Sequence, residues 1–131
     1  MPETEMLQVM DAEGKAKGKT PAGLKGDDLK TMFRAMFRTR LLDQRGMNLQ
    51  RQGRIGFYVP TFGQEASQIG AGYAMSDEDL LFPSYRVISI ALLRNVDLRT
   101  VFNQAWGNAE DLCKGRQMPN HYAFPDIGWN S

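Results

Sequence analysis

From Asp27 onward, Leu29, Met32, Phe33, Met36, Phe37 and Leu41 recur at three- and four-residue spacing, with Arg34, Arg38, Arg45, Arg51 and Arg54 mostly off that stripe. This is the period of one face of an α-helix. The pattern predicts an amphipathic helix extending toward Gln52, capped by Asp27 or Asp28 and buried through its Met and Phe stripe. The arginines then form a solvated outer face. Before Asp27 the pattern is different. Residues 1–26 mix lysine, glycine and acidic side chains, offer little to bury, and are expected to form a flexible arm ahead of a folded part at 27–131.

Beyond the first helix, Gly53-Arg54-Ile55-Gly56-Phe57-Tyr58-Val59-Pro60 reads as a turn or short strand bounded by helix breakers. A second helix is expected from Gly63 through Ala74. Its small residues allow close approach to a neighbour, and its glycines leave it dependent on packing. Ser76-Asp77-Glu78-Asp79 is a polar break and Leu80-Leu81-Phe82-Pro83 a short buried approach. Ser84 is expected to start a third helix through Val87, Ile88, Ile90, Ala91, Leu92 and Leu93. Asp97 should cap a fourth, with Leu98, Val101, Phe102 and Ala105 facing inward. After Gly107 the periodicity vanishes. The remaining stretch is either a functional loop or a segment whose packing partner is missing.

The chain has 131 residues, 42% of them hydrophobic, which suits a single domain with a core of its own. A net charge of +1 argues against nucleic acid or an anionic membrane as partner. The single cysteine, Cys113, excludes an intramolecular disulfide framework, and one Cys with one His is too few for a structural zinc site. No apolar run approaches the roughly 20 residues of a bilayer span. Glu3, Glu5, Asp11 and Glu13 make the N-terminus unlike a transit peptide. A mature, soluble, cytoplasmic chain is the expectation.

Three segments carry candidate chemistry. Ser84-Tyr85-Arg86, at the expected start of the third helix, combines two hydroxyls and a guanidinium with free amide donors, a plausible phosphate site; the alternative is a serine cap beside an exposed arginine. Lys114, Arg116 and the only histidine, His121, share the aperiodic loop, where Arg can clasp an anion and His can transfer a proton. A solvated basic loop is the other reading. Gln64-Glu65 is more simply a favourable charge at a helix start than a catalytic group. No glycine-rich phosphate loop, metalloprotease helix or nucleophile elbow occurs.

Five segments stand in a telling order: Leu42-Asp43-Gln44-Arg45, Arg51-Gln52-Gly53-Arg54-Ile55-Gly56-Phe57-Tyr58, Gly63-Gln64-Glu65-Ala66, Phe82-Pro83-Ser84-Tyr85-Arg86 and Lys114-Gly115-Arg116-Gln117-Met118-Pro119. From Leu29 onward the chain resembles the N-terminal part of the α subunit of thiamine-diphosphate-dependent 2-oxoacid dehydrogenase E1. Lys-Gly-Arg-Gln-Met-Pro followed by His-Tyr is similar to the branched-chain subgroup, whereas Gly56-Phe57-Tyr58-Val59-Pro60-Thr61 is also similar to bacterial pyruvate-specific subunits.

The resemblance implies an α/β fold, of which this chain is the mostly helical N-terminal portion, stopping before most of the thiamine-diphosphate-binding parallel sheet. It implies that Ser84, Tyr85 and Arg86 hold the cofactor diphosphate, that Phe57, Tyr58 and Arg116 border the substrate channel, and that His121 stabilises or protonates the reacting centre. Some family members carry a histidine where this chain has Val59, so no proton relay transfers to that position. The implied partners are an E1 β subunit in an α2β2 heterotetramer, the lipoyl domain of E2 as acyl acceptor, and a 2-oxoacid substrate undergoing oxidative decarboxylation. The family's Gly-Asp-Gly motif with its downstream asparagine, which binds Mg²⁺, is absent, Gly26-Asp27-Asp28 being no substitute, and a loop that often binds K⁺ would begin about where Ser131 stands. The expectation is therefore a fragment or truncated reading frame, inactive alone. Acetoin dehydrogenase, built on the same plan, and a non-catalytic helical interaction module are the alternatives.

Overall fold

A computed structural model describes residues 8–18 and 23–130. The first helix, α1, spans Gly26–Arg51. Its start is tied by the Asp28 carboxylate, which accepts the Lys25 amide at 2.7 Å and the Tyr73 hydroxyl at 2.5 Å. Asp28 thus caps from inside the first turn rather than from the residue before it. The Tyr73 hydrogen bond, with the Lys25 amide second, holds the Asp28 carboxyl below its ordinary range. Helix α2 spans Glu65–Ala74, α3 Ser89–Leu93 and α4 Leu98–Trp106, followed by a short 3₁₀ turn at Pro125–Ile127.

The described residues contain no β-strand, only isolated bridges, of which Leu81 to Trp129 ties the C-terminal segment to the approach before α3 and Phe124 to Trp129 closes that segment on itself. Residues 53–60 accordingly form turns and extended chain. Of the N-terminal arm, residues 8–18 make a tight turn with a bridge between Met10 and Ala16; residues 1–7 and 19–22 lie outside the described residues.

Helix α1 reverses one expectation. Its long apolar stripe faces outward: Phe33 is 64% and Phe37 55% exposed, with Leu29 and Leu41 exposed beside them. The buried face is Ala35, Thr39, Leu42, Asp43, Gly46 and Leu49. The cause is the closeness of what packs there. The ring of Tyr58 lies so near Gly46 that a Cβ on that residue would stand 2.5 Å from Cζ. Only a face of small and compact residues admits such an approach. The arginines at 34, 38, 45, 51 and 54 are exposed, as the pattern predicts.

The main core joins Leu42 of α1 to Ile90, Ala91 and Leu92 of α3, Val101 of α4 and the C-terminal aromatics Tyr122, Phe124 and Trp129. A smaller cluster gathers Leu49, Ile55, Tyr58 and Ala105. Burying side chains of this kind stabilises by about 1.5–3 kcal/mol each before the cost of ordering them. Small residues in α2 serve as expected at Gly72, where a Cβ would meet Ile90 Cγ2 at 3.0 Å. Helix α4 starts as the sequence predicts, the Asp97 carboxylate accepting the Arg99 amide at 2.8 Å. Val101 and Ala105 face inward and Phe102 is half-buried, whereas Leu98 is exposed. In the approach before α3 only Leu81 is buried; Phe82 is 77% exposed and Leu80 faces solvent with it.

Candidate functional site

The third helix begins five residues later than expected. Residues 84–87 form a turn closed by the Val87 amide donating to the Ser84 carbonyl at 3.1 Å, and helix starts only at Ser89. The Arg86 carbonyl is occupied instead by side chains: Thr61 Oγ1 and Gln68 Nε2 each donate to it at 3.0 Å. With that acceptor filled, the chain bends rather than coils. Ser84, Tyr85 and Arg86 therefore project from a pinned turn and not from a helix N-terminus, and the dipole argument for anion binding no longer applies to them.

All three side chains are exposed. The Arg86 guanidinium lies 6.0 Å from the Tyr85 ring centroid and, among the described residues, has no carboxylate partner. A forked cation without a carboxylate counter-ion, beside a phenol and a serine hydroxyl, is a donor set suited to a phosphate or diphosphate.

Tyr85 also meets His121, their ring centroids 6.0 Å apart. The sequence offers these two as separate candidates 36 positions apart; the fold makes them neighbours. His121 is half-buried, and its Nδ1 faces the Pro119 carbonyl at 3.2 Å. A carbonyl can only accept, so Nδ1 is the donor here, and in the neutral ring the lone pair falls on Nε2.

The loop carrying His121 is ordered by one buried amide of α4. Gln104 Nε2 donates to the carbonyls of Met118 and His121 at 3.2 and 2.7 Å, and its Oε1 accepts the Asn120 amide at 3.0 Å. Asn120 holds a left-handed φ of 68° and accepts the Val59 amide through Oδ1 at 3.2 Å, tying this loop to the one bearing Phe57. Asp111 organises the earlier turn by accepting the Cys113 and Gly115 amides. The aperiodic stretch is thus a built loop.

Phe57 is exposed, while Tyr58 points inward and donates its hydroxyl to Asp43 Oδ1 at 2.9 Å. Asp43 Oδ2 accepts the Thr61 amide at 2.7 Å. Burial pushes the Asp43 carboxyl up to about 6, against the lowering effect of these two hydrogen bonds. Burial, followed by the charge of Asp43, pushes the Tyr58 and Tyr122 hydroxyls up as well. Arg116 sits on an exposed turn, its amide donating to the Cys113 carbonyl at 3.0 Å, with Lys114 exposed in the same turn. No hydrogen bond among the described residues joins Arg116 to Tyr85, Arg86 or His121. Glu65 is buried and paired with Arg40 at 2.6 Å, and also accepts the Gly63 amide. Burial raises its carboxyl, but the Arg40 hydrogen bond and charge, with backbone amides, outweigh this and leave it lowered.

Residue-by-residue reading of the sequence missed Asp43, Thr61, Gln68, Gln104 and Asn120, whose side chains hold the site together. One signal was available. Thr39 and Asp43 fall four apart on the helix face that also carries Ala35, Leu42 and Gly46, and a polar pair amid small residues marks a close, hydrogen-bonded approach.

A family model described as dehydrogenase E1 component matches residues 33–126. The mitochondrial 2-oxoisovalerate dehydrogenase subunit alpha of Caenorhabditis elegans is 40% identical over 91 residues, 70% of this chain and 21% of that protein. The pyruvate dehydrogenase E1 component subunit alpha of Bacillus cereus is 38% identical over 118 residues, 89% of this chain and 31% of that one. Its counterpart in Bacillus subtilis is 38% identical over 115 residues, 87% of this chain and 30% of that one. The chain spans about a third or less of the length of these curated relatives. With the turn of Tyr85 and Arg86, the loop of His121 and most of the helical frame all inside the matched segment, the chain belongs to the dehydrogenase E1 component family.

Proposed function

We propose that this chain supplies the diphosphate-binding end of the cofactor site in the α subunit of a 2-oxoacid dehydrogenase E1, acting on a branched-chain 2-oxoacid. The observation that carries the reading is the exposed Arg86 guanidinium, without a carboxylate partner, on a turn pinned by Thr61 and Gln68 and set against Tyr85 and His121. Arg86 and the hydroxyls of Ser84 and Tyr85 would hold the diphosphate of thiamine diphosphate. When bound, that cofactor supplies the carbon nucleophile and electron sink for decarboxylating a 2-oxoacid. His121, with its lone pair on Nε2, would exchange a proton at the reacting end. Phe57 and Arg116 would border the substrate's approach, Tyr58 acting behind Phe57 as its support.

Among the described residues no group of three or more His, Cys, Asp or Glu could hold a metal ion, so no ligand for Mg²⁺ or K⁺ is assigned within them. The parallel sheet of the complete fold is likewise proposed for the remainder of the subunit. The β subunit of an α2β2 assembly and the lipoyl domain of E2 are the proposed partners. The exposed row of Leu29, Phe33, Phe37 and Leu41 supports the first, because a contiguous apolar surface of this kind marks an interaction site. No helix among the described residues is long and apolar enough to cross a membrane, and a cytoplasmic location remains part of the proposal.

The test is calorimetric titration of thiamine diphosphate, with Mg²⁺ present, into the α subunit assembled with its β partner. Arg86→Ala should weaken binding at least tenfold; an unchanged Kd sinks the reading. The similarity to pyruvate dehydrogenase subunits favours pyruvate as a second substrate reading. Turnover of pyruvate against branched-chain 2-oxoacids by the same assembly separates the two.

A further inference from the structure

We propose that Gln68 is a positioning residue for Arg86, setting the direction of its guanidinium toward an anionic ligand from the opposite side of the turn. The inference rests on the diphosphate reading of Arg86. Gln68 lies on α2, 18 positions before Arg86, and is buried. Its amide grips the turn at both ends. Nε2 donates to the Arg86 carbonyl at 3.0 Å, while Oε1 accepts the Ser89 amide at 3.3 Å. These partners dictate the amide's orientation, since a backbone carbonyl needs a donor and a backbone N–H an acceptor.

Thr61 completes the grip. Its hydroxyl fills the second lone pair of the Arg86 carbonyl at 3.0 Å, and its own amide is held at 2.7 Å by Asp43, which is fully buried in α1. The peptide plane after Arg86 is therefore fixed from α2 on one side and α1 on the other. Arginine has a long, rotamer-rich side chain, and holding its root reduces the conformational freedom lost when the guanidinium meets a ligand. Neither Gln68 nor Thr61 needs to touch that ligand. Substituting them should alter affinity without altering chemistry.

The experiment is a double-mutant cycle in the assembled enzyme, reading the Kd for thiamine diphosphate with Mg²⁺ present and kcat at saturating cofactor. Gln68→Met keeps the length and loses the hydrogen bonds; Thr61→Val does the same for the hydroxyl and serves if the first variant fails to fold. Each should raise Kd by about tenfold or somewhat less, the scale of one lost hydrogen bond, with kcat within about twofold of the parent. On an Arg86→Ala background the same substitutions should add almost nothing to Kd. A raised Kd in Arg86→Ala with none in Gln68→Met or Thr61→Val overturns the positioning role alone. Full additivity on the Arg86→Ala background also overturns it, because the effect then does not pass through Arg86. An unchanged Kd in Arg86→Ala overturns the diphosphate reading itself and this inference with it.

Discussion

Asp43 and Tyr58 form a buried carboxylate–phenol pair, the Tyr58 hydroxyl donating at 2.9 Å to a carboxylate with no solvent exposure. The second Asp43 oxygen takes the Thr61 amide, so one side chain of α1 fixes both the inward ring of Tyr58 and the residue that clasps the Arg86 turn. The surface turn is thereby linked to the buried carboxylate of the helix beneath it.

That link predicts a pH dependence. The native Asp43 carboxyl is raised to about 6, principally by burial. A raised native value means the folded state binds its proton more tightly than the unfolded chain does. The group's stabilising contribution is full below the unfolded value of about 3.9 and is lost as pH rises through about 6. The loss is on the order of 2–3 kcal/mol across that window. Asp28 and Glu65, whose carboxyls are lowered, act in the opposite sense and lose their contributions only as pH falls through their lowered native values. Melting temperatures of wild type and Asp43→Asn between pH 4 and 7 should therefore diverge, the variant lacking the decline. Parallel curves would refute the assignment.

Two glycines should respond oppositely to alanine. At Gly46 a new Cβ would meet Tyr58 ring carbons at 2.5–2.7 Å, so overpacking of about 1–3 kcal/mol exceeds the gain in helix propensity. At Gly70, in α2, nothing lies within 4 Å, and Gly70→Ala should stabilise by about 0.5–1 kcal/mol. Urea titration of both variants gives the signs directly.

Arg40 spans from α1 to the start of α2 with Nε at 2.6 Å from Glu65, while its guanidinium carbon lies 5.2 Å from the Phe62 ring centroid. Arg40 is itself substantially exposed, which reduces the value of the pair, but Glu65 is buried and would be left with an uncompensated charge. Arg40→Met should therefore lower stability at neutral pH, and lower it less once Glu65 is protonated. Equal costs at pH 7 and pH 4 would count against the pairing.

Gln104 can be tested without touching Arg86. Its amide makes three hydrogen bonds to the His121 loop, and Gln104→Leu would strand the Asn120 amide and two carbonyls, at a cost of about 2–4 kcal/mol. Hydrogen exchange should quicken at residues 118–122 while the amides of α2 keep their protection. Uniform quickening would mean that the loop and helices open together.

Phe33→Glu with Phe37→Glu should leave the stability of this chain within about 0.5 kcal/mol, since both rings are already exposed. In the assembled enzyme the same pair should reduce recovery of the β subunit when α is captured. Undiminished recovery would place the β contact elsewhere.

The amino-acid sequence by itself determined where α1 runs, the cap and period of α4, the small-residue approach of α2 and, through ordered motifs, the family. Those features are local, or depend on residue identity in linear order, so no tertiary contact is needed to read them. Which face of α1 is buried was decided only in three dimensions. Periodicity places the Phe stripe on one face, but the nearness of Tyr58 to Gly46 selects the small face for the interior. The start of α3 was decided in the same way, because Thr61 and Gln68, distant in sequence, capture the carbonyl that a helix would have used. The meeting of Tyr85 with His121 likewise depends on buried amides and carboxylates reaching across elements. Hydrogen bonds between residues far apart in the chain leave no periodic trace in it, and that is why the site's frame had to be seen folded.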